Sequence, residues 1–86
     1  MKAIDLVNQY ASKNAGMSNY VDAKLGEIRT ALHDANWRKN EDETDWAKLN
    51  MRIAESIAVH ILQVIPHETP VRASLADIYR AIVDEK

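Results

Sequence analysis

Eighty-six residues with eleven basic and thirteen acidic side chains, a net charge of −2 and no cysteine allow one domain. They exclude a disulfide framework, a thiolate nucleophile and cysteine-ligated zinc. The apolar set is alanine-rich and contains no phenylalanine, and only two glycines and two prolines occur, where average usage would supply roughly ten of the two together. This composition predicts a thin core without a large catalytic cleft, built from a few long helices on short links: an all-α fold, a compact bundle of four helices forming one domain over residues 1–86.

The first helix is expected over about residues 2–14, with Ile4, Val7 and Ala11 on one stripe and Ala3, Leu6 and Tyr10 beside it. Asp5, Asn8 and Gln9 interrupt its apolar residues before the core of a signal peptide could form. Gly16 can close this helix in a left-handed conformation, and Ser18 is a suitable N-cap for the next. The second helix is expected over about 19–37, where Val21, Leu25, Ile28, Leu32 and Ala35 follow the alternating spacing of a helical hairpin seam. Gly26 falls inside it, at a cost of about 1 kcal/mol relative to alanine, and reads as a close contact with the first helix or with a second subunit.

The segment Arg38-Lys39-Asn40-Glu41-Asp42-Glu43 is expected as a link whose charges complement the helix dipoles on either side. Thr44 is the expected N-cap of a third helix over about 45–65. One face of that helix carries Trp46, Leu49, Ile53, Ile57, Ile61 and Val64, and its flank carries Ala47, Met51, Ala54, Ala58, Leu62 and Ile65. Its densest apolar run, Ile57 to Ile65, is interrupted by His60 and Gln63 and falls short of the about 20 residues that span a bilayer. A cytoplasmic chain without a membrane segment is expected. Pro66 ends the third helix. A fourth, about 70–84, starts at Thr69-Pro70 or at a competing Ser74…Asp77 capping box, and carries Leu75, Ile78, Tyr79, Ile82 and Val83 as its stripe. The third helix is placed centrally, with the second and fourth against its two faces and the first closing the bundle.

No constellation of residues carries chemistry. None of Ser12, Ser18, Ser56 and Ser74 sits in a nucleophile turn, and the acidic cluster Glu41, Asp42, Glu43, Asp45 has neither the spacing of a calcium loop nor the burial that would poise an acid. His33, His60 and His67 match no metal-ligand spacing, and His60 reads as a buried or half-buried core histidine. Two glycines cannot form a phosphate loop. The sequence therefore predicts no enzyme, no cofactor, no metal and no small-molecule substrate.

Trp37 stands apart, about 140° around the helix from Leu32. Flanked by Arg38 and Lys39 and followed by Glu41, Asp42 and Glu43, it has the composition of an interface anchor with a polar rim. Alternatively, the second helix ends early and Trp37 folds over Trp46 to plug the hairpin tip. Residues 1–40 hold six basic and four acidic groups and residues 41–86 five and nine, an asymmetry that favours self-association or a basic partner for the acidic half. The expected function is a non-enzymatic protein-protein interaction module, a small adaptor, accessory or inhibitor protein acting as a homodimer or bound to a larger protein. The proposed partner-binding residues are Trp37, Arg38, Lys39, Glu41, Asp42 and Glu43. A small helix-turn-helix-like nucleic-acid regulator is the alternative, weakened by acidic residues interleaved with the basic ones on both candidate recognition helices.

Overall fold

Two long helices form a hairpin on which two shorter ones are laid. The computed structural model describes residues 2–14, 19–65 and 72–86, which carry α1 (Ala3–Asn14), α2 (Asn19–Asn40), α3 (Thr44–Val64) and α4 (Arg72–Glu85). At 22 and 21 residues, α2 and α3 each run about 32 Å, at the helical rise of about 1.5 Å per residue. With 12 and 14 residues, α1 and α4 reach only about 18 to 21 Å. The central α3 packs most extensively on α2 and also against α4, while α1 closes the ring by touching α2 and α4. This is the four-helix all-α bundle that the scarcity of turn formers predicts, with principal extents of 41 × 22 × 21 Å.

In α2 the whole expected seam, Val21, Leu25, Ile28, Leu32 and Ala35, is buried. From α4 come Leu75, Ile78 and Ile82, with Tyr79 half-buried and Val83 exposed. The buried face of α1 is Ala3, Val7 and Tyr10, so the two expected stripes contribute jointly; Ile4, Leu6 and Ala11 are half-buried. The third helix departs from expectation. Its buried residues are Ala47, Ala54, Ala58 and Ile61, drawn mostly from the flank, whereas Trp46, Leu49, Ile53 and Val64 of the expected core stripe are exposed and Ile57 is half-buried. The cause is complementarity of size. The α2 seam supplies the bulk, and the small alanines of α3 let the two helix axes approach closely, so the layers interdigitate without bulky residues on both sides.

The helix ends also differ from the expected ones. Instead of stopping at Trp37, α2 continues to Asn40 and ends in a Schellman motif. The Glu43 amide donates to the Arg38 carbonyl at 2.8 Å and the Asp42 amide to the Lys39 carbonyl at 3.2 Å, with Asp42 in the left-handed region at φ 61°. The link is thus only Glu41 to Glu43, and Thr44 is the first helical residue, not the cap; the N-cap position belongs to Glu43, which makes no side-chain capping bond. At the other end of α3, Ile65 is extended (φ −79°, ψ 145°), as suits a residue preceding proline. The Arg72 guanidinium donates to the carbonyls of Leu62 and Ile65 at 2.7 and 3.3 Å, so a cation on α4 satisfies the negative terminus of α3. Arg72 and Ala73 already belong to α4, which excludes the later start at Ser74. The Glu85 carboxylate accepts from the Ala3 amide at 3.2 Å, pinning the start of α1 to the end of α4. Gly16, Ser18, Pro66, His67, Thr69 and Pro70 lie outside the described residues.

Candidate interaction surface

α1 packs on α2 and α4 on α3, and a further face of the α2·α3 hairpin stays open. A groove runs along the open face. Its α2 side presents Ala23, Gly26 and Thr30 with the charged Glu27, Arg29 and Asp34, and its α3 side presents Asn50, Ile53 and Ile57. Followed toward the hairpin tip, the α2 line Ala23, Thr30 reaches Trp37 one heptad further on, and the α3 line reaches Leu49 and Trp46. Trp37, Trp46, Leu49, Ile53 and Val64 are 55, 57, 44, 45 and 52% exposed. An apolar stripe of this length is not needed by the fold that carries it. Isolated surface hydrophobes are ordinary, whereas several on one face of a helix mark a candidate contact surface.

The tip shows how the six sequence-predicted residues are used. Trp37 is exposed and does not plug the hairpin; the group over the Trp46 ring is the Arg38 guanidinium, 5.4 Å from its centroid. Arg38 Nη1 also donates to Glu43 Oε2 at 3.1 Å, so these two residues clasp the ends of α2 and α3. Lys39, Glu41 and Asp42 are exposed, and their backbones build the turn. The predicted set thus divides. Arg38, Asp42 and Glu43 close the hairpin, while Trp37 is exposed one heptad beyond Thr30. The apolar members Trp46, Leu49, Ile53 and Ile57 escaped the sequence reading because their periodicity is equally that of a core face. The doubled apolar width of α3 was the available signal.

Two other residues take unexpected positions. A Cβ added at Gly26 would meet nothing within 4 Å among the described residues, so Gly26 does not mark a close approach of α1. His60 is exposed, in a shallow polar depression with Arg52, Glu55 and Gln63, rather than in the core. There the wheel position that seemed central belongs to the outer edge of α3. Glu55 is taken up by the Lys86 ammonium. Among the described residues no group of three or more histidines and carboxylates could hold a metal ion, and no helix is long and apolar enough to cross a membrane. No protein-family model matches the chain, and neither a curated protein nor a solved structure does.

Proposed function

We propose that this chain is a non-enzymatic protein-protein interaction module, a small adaptor, accessory or inhibitor protein that docks through the open face of the α2·α3 hairpin. The observation that carries the reading is the inversion of α3: its alanines face the core, and its bulky residues face outward beside the groove. The exposed part of such a face adds little to the stability of the isolated chain and costs solubility, while burial of apolar area is the main favourable contribution to protein association.

Photo-cross-linking tests it. A phenylalanine analogue bearing a photoreactive group in place of Ile53 is expected to give a discrete adduct in lysate of the native host. The same analogue at Asp77, exposed on α4, is expected to give none. Adding Trp37→Ala lowers the yield several-fold at an unchanged melting temperature. Equal labelling from both positions, or none from Ile53, overturns the proposal.

A further inference from the structure

Resting on that reading, we infer that the occupant of the open face is a second copy of this chain, giving a two-fold dimer. The first argument is area. The five exposed apolar side chains together leave roughly 500 Å² uncovered, at the upper end of the largest patch a monomer carries. A standard interface takes about 800 Å² from each partner, somewhat more than half of it apolar, so the stripe and its polar margin supply one complete half of a dimer contact.

The second argument is shape. A two-fold interface must be complementary to itself, because the same patch is used on both sides. Here an apolar ridge and a strip of small residues edged by charges lie side by side: Ile53 and Ile57 on α3, and Ala23, Gly26 and Thr30 on α2 with Glu27, Arg29 and Asp34 beside them. Turning one copy over another about an axis along the hairpin lays each ridge against the other copy's strip, antiparallel, at both places at once. The same operation brings Trp37 of one chain beside Trp46 of the other, the two tryptophans of the sequence. The space above Gly26, where an added Cβ meets nothing within 4 Å among the described residues and which also borders Val7 and Ala11 of α1, is then the seat of an incoming ridge residue.

Sedimentation equilibrium of the full-length chain, over roughly 1 to 100 μM where an interface at the low end of standard size dissociates, is expected to show a monomer–dimer equilibrium. Tryptophan emission moves to the red on dilution as Trp37 and Trp46 return to water. Ile53→Asp is expected to raise the dissociation constant at least tenfold at unchanged helical content. Trp37→Ala, at a more exposed position, serves the same purpose should Ile53→Asp impair folding. A dimer indifferent to both substitutions overturns the assignment of the face. A strict monomer overturns the second copy: if the Ile53 adduct then contains a different protein, the interaction reading stands without it, and if no adduct forms, both fall.

Discussion

Tyr10 shows how one residue ties stability to pH. Its ring is buried on α1, and its pKa is raised above the ordinary value of 10.0, first by burial and second by the nearby Asp22 carboxylate. Ionisation is therefore disfavoured in the folded chain relative to the unfolded one. The stabilisation is fully present below the unfolded pKa and is lost as pH rises through about 10 toward the folded value. Denaturant titrations at pH 8 and above pH 10 are expected to show a loss of stability that Tyr10→Phe reduces; an identical alkaline loss in both chains would exclude Tyr10 as its source. Asp42 carries a different cost. It holds the left-handed C′ position of the Schellman motif at φ 61°, a conformation that glycine adopts without the penalty a Cβ imposes. With its side chain exposed and outside the ion pairs among the described residues, Asp42→Gly is expected to stabilise the chain by about 0.5 to 1 kcal/mol. Chemical denaturation checks this, and a destabilised variant would show that the carboxylate has a role in the turn.

At the scale of elements, helix type and order were legible because periodicity and punctuation agreed. All five residues of the expected α2 seam are buried, with Ala31 added beside them. In α3 both a bulky and an alanine-rich face are apolar, and hydrophobicity alone favours the bulkier one. The choice was made by the partner: a seam of Val, Leu and Ile on α2 leaves space for alanine, not for a second bulky row. Trp37 lies off the seam, as its wheel position implies, whereas Trp46, Leu49 and Ile53 have the periodicity of a core face and are exposed, because a helical stripe carries no label saying whether it is covered. The Arg72 cap was invisible for another reason. It joins residues seven and ten apart through a guanidinium and two carbonyls, and side-chain-to-backbone contacts across a bend leave no periodic trace. Composition singles out the six tip residues, but it does not separate those that close the turn, Arg38, Asp42 and Glu43, from the exposed Trp37.

For the whole molecule the mismatch in helix length decides how stability is distributed. The main core cluster draws on all four helices, but on α2 it ends at Leu32 and on α3 it begins at Ala54; Ala35 and Ala47, though buried, fall outside it. The tip from about residue 34 to 50 is therefore held mainly by two buried alanines, the Arg38 clasp and the turn. Few buried apolar contacts mean a low local opening free energy, so backbone amides there exchange by local opening while those at Ile28 and Ile61 require global unfolding. A second copy seated on the groove would alter this selectively, since binding to the closed form suppresses opening in proportion to occupancy. Native-state hydrogen exchange at two chain concentrations, one below and one above the dimer dissociation constant, is expected to show tip amides slowing markedly at the higher one. Amides near the C-terminus of α4, opposite the groove, are expected to change far less. Exchange at the tip that is already slow in the monomer would mean that the Arg38 clasp and the Schellman turn suffice to hold the hairpin closed.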